Sequence, residues 1–211
     1  HVTSLYDGEI ALADAGFQAL LDLLERTGQR DNTIIILTSD HGEELHDHGG
    51  WNHGHTVHRE LVHVPLIVSR PDLKAGQRIP TPVSLIDVMP SVLQWVDLPV
   101  PQSVEGQTLT QLQTDRPLFT RSSFLPRHAS IRHLGWTLIK DGQGTVALYD
   151  QLNDPNEQHN VATQPPERVT SLSAQLDAWL SGQTTRPTRD LTEEETERLK
   201  LLGYIESLSG P

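Results

Sequence analysis

The sequence predicts an α/β layered fold with a small antiparallel sheet and helix appended on its C-terminal side. Three observations carry that prediction. Two apolar, β-branched runs occupy residues 33–38 and 64–69. A stretch of helical periodicity leads into the first of them. Beyond residue 116 the pattern changes to short strands separated by turn residues.

Each element follows from its residues. In 8–27, Ile10, Ala13, Phe17, Leu20, Leu21 and Leu24 recur on one helical stripe, and Gly28 supplies the stop. Thr33–Thr38 is apolar throughout, the composition of a strand buried on both faces of a parallel sheet, and Val64–Ser69 is a second such strand. Ser84–Val96 reads as a helix that packs through Leu85, Ile86, Val88, Met89, Val92, Leu93 and Val96, with Pro90 near its start or at a kink. Residues 97–117 form a Pro- and Gln-containing connection. Short strands are predicted at 116–121, 130–133, 136–140 and 145–149, the last two joined by a hairpin turn at Asp141-Gly142. Residues 165–180 form an amphipathic helix with Val169, Leu172, Leu176, Trp179 and Leu180 on its apolar side. A polar linker at 181–190 leads to a charged helix at 192–202, where Thr192 is the N-cap and three Glu suit the helix dipole. The chain thus divides into an α/β part at 1–115, a sheet-plus-helix part at 116–182, and a linker with a short helix at 183–211.

Composition narrows the function. The formal net charge is −12, which argues against nucleic acid or an anionic membrane as the main partner. It leaves room for an anionic substrate, because a bound cation reverses the local field. No apolar run approaches the roughly 18–20 residues that span a bilayer. Cysteine is absent, so disulfides, thiolate metal sites and cysteine nucleophiles are excluded within these residues. The first residue is His1 rather than Met, and an N-terminal portion is expected upstream.

The chemistry concentrates at the end of the first apolar run. Seven of the eleven histidines lie between His41 and His63. Ligands in α/β sheets sit beyond the carboxyl ends of strands, and Asp40 and His41 fall there. A hard carboxylate oxygen beside an imidazole nitrogen suits Ca²⁺, Mn²⁺ or Zn²⁺ better than Mg²⁺ alone. Read blandly, Asp40 caps a helix and His41 is a satisfied polar residue. The strand before them and the histidines after them favour a metal. His53 and His55 come next: either can bind a metal, hold an anionic ester oxygen or protonate a leaving group. His46, His48, His58 and His63 read as hydrogen-bonding or packing residues. Glu43 and Glu44 read as charges opening a helical turn, and Glu60 as a residue that orients the histidine loop. Thr185-Arg186-Pro187-Thr188-Arg189 mimics a hydroxyl-x-Pro-x-Arg nucleophile motif, but its polar-linker setting marks it as a chance match.

Six segments in one order resemble the C-terminal half of a sulfatase, in the alkaline phosphatase superfamily. They are YDGEIALAD at 6–14, DNTIIILTSDHGEEL at 31–45, HGHTVHRELVHVPLIV at 53–68, SLIDVMPSVL at 84–93, LYDQLNDPNEQHNVA at 148–162 and LTEEETERLKLLGYI at 191–205. The resemblance implies a partial alkaline-phosphatase-like α/β/α sandwich with a small C-terminal antiparallel sheet and helix. It implies that Asp40 and His41 are the second pair of metal ligands, where many sulfatases carry Asp-Asn on Ca²⁺. His at the second position is a familiar variant, shared with phosphonate and phosphodiester hydrolases that often use Mn²⁺ or Zn²⁺. Where many members have a sulfate-binding Lys, His53 and His55 bracket the position, and His55 is favoured. The first acidic pair of the metal site and the Cys/Ser-x-Pro-x-Arg segment that yields formylglycine precede residue 1 in family order.

The implied activity is metal-dependent hydrolysis of a sulfuric ester of a small molecule or carbohydrate, by an enzyme of which this chain is a fragment. A phosphonate monoester or phosphodiester hydrolase, or a phosphoglycerol transferase, is the related alternative. A non-catalytic metal-binding module is the alternative from another class. The residues leave the oligomeric state open.

Overall fold

The computed structural model describes residues 1–122, 127–163, 166–183 and 191–201. Helix α1 (Val2–Arg26) is longer than its apolar stripe predicts and ends where Gly28 adopts φ +65°. None of its residues is buried, and Leu5 and Leu12 are 58% and 68% exposed. A short turn then delivers strand β1 (Ile35–Thr38).

Strand β1 pairs with β4 (Leu66–Ser69), and this corrects the expectation of a parallel sheet. The pairing is antiparallel, in register from Ile35 opposite Ser69 to Thr38 opposite Leu66. The reason lies in the connection. A parallel crossover needs a dozen or more residues that return along the strand, usually as a helix. Here the link holds two short strands, β2 (Glu44–Leu45) and β3 (Trp51–Asn52), and the four-residue helix α2 (Arg59–Val62). These reverse the chain without carrying it back. Burial on both faces also fails: Ile67 is 58% exposed, since among the described residues β1 and β4 pair only with each other.

The helix predicted at 84–96 is a 3₁₀ turn (Leu85–Asp87) that runs into α3 (Val88–Trp95), with Pro90 in the first turn, where a missing N–H costs nothing. Asp87 is fully buried. Its carboxylate accepts the Ser84 and Gln107 backbone N–H groups, at 2.8 and 2.9 Å, and pairs with Arg116. One carboxylate therefore pins the irregular connection 97–117 against α3.

The core lies in the C-terminal part. Strands β5 (Leu118–Arg121), β6 (Ala129–His133), β7 (Trp136–Lys140) and β8 (Val146–Asp150) form an antiparallel meander in that order. The predicted hairpin between β7 and β8 is present. Asp141 Oδ1 accepts the N–H groups of Gln143 and Thr145, and Gly144 turns the chain at φ +89°. Side chains alternate across this sheet. Ala129, Ile131, Leu138 and Leu148 face helix α4 (Pro166–Gly182), meeting Leu172 and Leu176, while the Phe119 and Trp179 rings stack beside them. Ile139 and Tyr149 face the other way, against Val57 and Val62. The sheet is thus covered on one side by α4 and on the other by the end of the histidine loop.

Helix α5 (Glu193–Leu201) starts at the predicted cap: Thr192 Oγ1 accepts the Glu195 N–H, and Glu195 Oε2 returns a bond to the Thr192 N–H. The Thr185–Arg189 segment lies outside the described residues.

Candidate active site

The site is built from the 39–63 loop, which leaves β1 and returns through α2. Gly42 anchors its start: its N–H donates to Leu61 O at 2.8 Å, and a Cβ there would fall 1.9 Å from Glu60 O. Only glycine allows that approach.

Asp40 and His41 sit side by side at the end of β1. His41 Nδ1–H donates to Gly42 O at 2.8 Å, which fixes the tautomer and leaves Nε2 as the lone-pair nitrogen. Nε2 lies 3.7 Å from Asp40 Oδ2. Two ligands of one cation, with bonds of about 2.0–2.4 Å, stand at such a separation. The donor chemistry and the tautomer therefore fit a divalent cation. Against His41 stacks His53, with ring centroids 4.1 Å apart. His53 Nδ1 lies 3.2 Å from Glu43 Oε2.

His55 stands apart from that stack. Its Nε2 lies 2.7 Å from Glu44 Oε2, while its backbone O receives His128 Nδ1 at 2.5 Å. Glu44 is 1% exposed, and its other oxygen accepts the N–H groups of Gly50 and His48 at 2.6 and 3.1 Å. Burial alone would raise the Glu44 pKa; the bonds from Gly50, His55 and His48 outweigh it and hold the carboxyl below its ordinary value. An ionised carboxylate only accepts, so His55 must carry its proton on Nε2. The sequence reading of Glu43 and Glu44 as charges that open a helical turn and complement its dipole is thus corrected, since no helix forms there. Glu44 begins strand β2 and is buried.

Behind these residues lies a second histidine pair. The rings of His48 and His58 stack 3.8 Å apart and 7° from parallel. His48 is held between Glu60 Oε1 and Glu157 O, each at 2.8 Å. Two acceptors require protons on both nitrogens. Burial works against that charge, but the Glu157 carbonyl and Glu60 prevail, and His48 is held above its ordinary pKa. For His58, burial and then the neighbouring His48 charge push the pKa down to about 4. Glu60 therefore does orient the loop, through His48.

The donor atoms of His48, His58 and Glu60 lie within 4.8 Å of one another, close enough for a group that could take a cation. In the arrangement seen His48 and Glu60 are hydrogen-bonded to each other, while His58 stacks on His48 and turns its nitrogens to Thr56 Oγ1 and Tyr149 Oη. Imidazole lone pairs lie in the ring plane, so parallel stacked rings direct them side by side rather than to one point. The remaining histidines are peripheral: His46 stacks on Trp51 and His63 is exposed.

One polar hub escaped sequence reasoning. Glu157, 1% exposed and 98 residues beyond Arg59, accepts the Arg59 N–H at 2.9 Å and Arg132 Nη2 at 3.2 Å. Arg132 also donates to Val57 O at 3.0 Å. Together with His48 on Glu157 O, these bonds fasten the loop to the C-terminal sheet. No local pattern announces such a contact.

Comparison with known proteins agrees with this geometry. The Sulfatase family model matches residues 1–98. The chain is 29% identical over 195 residues to arylsulfatase K of Canis lupus familiaris, covering 83% of this chain and 36% of that protein. The family match, the curated relatives and the solved structures together support the sulfatase family. It is also 31% identical over 144 residues to the uncharacterized sulfatase YidJ of Escherichia coli K12, covering 63% of this chain and 29% of that one. Among solved structures, BT4656 in complex with its substrate D-glucosamine-2-N,6-O-disulfate aligns with TM-score 0.67 and 26% identity, over 82% of this chain and 39% of that one. The phosphonate monoester hydrolase SpPMH of Silicibacter pomeroyi aligns with TM-score 0.65 and 27% identity, over 80% and 38%. These likenesses fit the alkaline-phosphatase-like α/β fold with its small antiparallel sheet. The chain spans about a third of the length of the curated relatives it matches.

Proposed function

We propose that the protein carrying this chain is a metal-dependent sulfuric ester hydrolase, and that this chain contributes one half of its active centre. The observation that carries the reading is the seating of Asp40, His41 and His53 together at the end of β1, with His41 presenting Nε2 beside Asp40. Asp40 and His41 hold a divalent cation, Ca²⁺ ahead of Mn²⁺ or Zn²⁺. Such an ion, when bound, stabilises the negative charge that builds on the ester oxygens. His55, with His53 as its rival, meets the anionic group or supplies a proton to the departing oxygen. The other acidic pair and a formylglycine nucleophile belong to the sulfatase fold outside these 211 residues. Residues 1–115 then form the C-terminal part of the catalytic domain, 116–182 a sheet-plus-helix subdomain that backs the loop, and 183–211 a linker with a short helix. A sulfate ester of a small molecule or carbohydrate is the substrate class.

A second reading is favoured by one observation. Two phosphonate monoester hydrolases align at 26% and 27% identity, no worse than BT4656. Steady-state kinetics of the full-length protein on an aryl sulfate and on an aryl phosphonate monoester separate the two. A kcat/KM at least tenfold higher for the sulfate supports the sulfatase. The reverse preference replaces it with phosphonate hydrolysis, and no turnover of either overturns both.

A further inference from the structure

We propose that Glu44 is a positioning residue: it holds His55 by Nε2–H and leaves Nδ1 as the nitrogen that meets the ester. The inference rests on the reading of His55 just given and adds a residue to it. Four features of the structure converge on Glu44. The carboxylate is 1% exposed, and its Oε2 lies 2.7 Å from His55 Nε2. Its Oε1 is locked by the backbone N–H groups of Gly50 and His48, so the acceptor cannot turn away. Gly50 leaves room for the pair, because a Cβ there would stand 2.7 Å from His55 Nε2 and 2.8 Å from Glu44 Oε2. The His55 backbone is fixed separately through its O to His128 Nδ1 at 2.5 Å.

The chemistry follows from that clamp. The His55 ring is 38% exposed, so it is anchored at the buried Glu44 end and open elsewhere. A buried carboxylate that accepts from an imidazole N–H fixes which nitrogen keeps its proton. During ester cleavage sulfur passes to the enzyme's nucleophile, its bond to the alcohol oxygen breaks, and the proton on Nδ1 of the doubly protonated ring goes to that oxygen. The ring returns to the neutral Nε2–H form that Glu44 already holds. The other charged groups nearby, Glu43 with His53 and Glu60 with His48, are engaged in pairs of their own.

The test is a double-mutant cycle in the full-length protein, with kcat and KM for an aryl sulfate measured for wild type, Glu44→Gln, His55→Ala and the double variant. Glu44→Gln alone is expected to lower kcat by about 10–100-fold with little change in KM. In the His55→Ala background it is expected to change kcat by less than about twofold. Equal losses in both backgrounds overturn the positioning role and leave the reading of His55 intact. A His55→Ala variant with wild-type kcat overturns the reading of His55 itself. Side-chain ¹⁵N NMR of wild-type His55 decides the clamp without any variant that must fold: neutral His55 protonated on Nε2 supports it, and protonation on Nδ1 overturns it.

Discussion

His48 and His58 lie face to face, with ring centroids 3.8 Å apart, and only His48 is placed between two acceptors that favour a second, charging proton. The two rings titrate in opposite directions, and stability responds to both. His48 is raised above 6.5, so its contribution is complete below about pH 6.5 and is lost as pH rises through the raised value. His58 is lowered from 6.5 to about 4, so the unfolded chain binds the proton more readily, and stability falls as pH drops from 6.5 towards 4. Replacing His58 with Gln is expected to flatten that acid limb by on the order of 2 kcal/mol, after allowance for solvent screening. Urea unfolding at about pH 4.5 and pH 7 measures it; an unchanged acid limb contradicts the stacking argument.

Arg132 is the cation that Glu157 needs. Arg132→Met removes it and leaves a carboxylate that is 1% exposed with, among the described residues, only the Arg59 N–H as its remaining strong donor. A loss of about 3 kcal/mol is expected, typical of breaking one side of a buried pair. Chemical denaturation of the variant reads this out directly, and a loss under about 1 kcal/mol would mean that the loop is not fastened through this pair.

Gly42→Ala places a Cβ where Glu60 O stands, at 1.9 Å. Either the loop or α2 must move, at a cost of about 2–4 kcal/mol. Because Glu60 carries His48, the His48 side-chain NMR signals are expected to shift as well. Wild-type stability with unshifted His48 signals would rule out the close approach.

Asp40→Ala in the full-length protein is expected to abolish retention of the divalent cation. Elemental analysis after dialysis gives the answer, and an unchanged metal content refutes the assignment of Asp40.

The 211-residue chain by itself is expected to show no measurable turnover of an aryl sulfate, because the proposed function puts the nucleophile and the other acidic pair outside these residues. Robust turnover by the purified chain would mean that the nucleophile lies within it.

Local periodicity made much of the fold legible. Strand β7 occupies the predicted residues 136–140, and α4 extends the predicted 165–180 only slightly. These segments bury one face against a partner, and that face is written in the spacing of their apolar residues. The direction of β4 against β1 was not legible, because an apolar run records burial rather than polarity of pairing. Asp40 and His41 stood out through their place at a strand end. Glu44 did not, because the environment that makes a carboxylate a buried acceptor comes from Gly50, His48 and His55 folding over it. Glu157 was hidden for the same reason at longer range.

The Glu157 hub also bears on how this protein can be altered. Arg132 sits on β6 and Glu157 just beyond β8, yet both reach the loop, through Val57 O, Arg59 N and His48. The C-terminal sheet is therefore no exchangeable appendage. Trimming the chain before residue 157 would leave His48 without its carbonyl acceptor and α2 without its anchor, and a segment grafted from a relative would have to restore the carboxylate that holds α2. Engineering of substrate preference is better confined to surfaces that leave this seam whole.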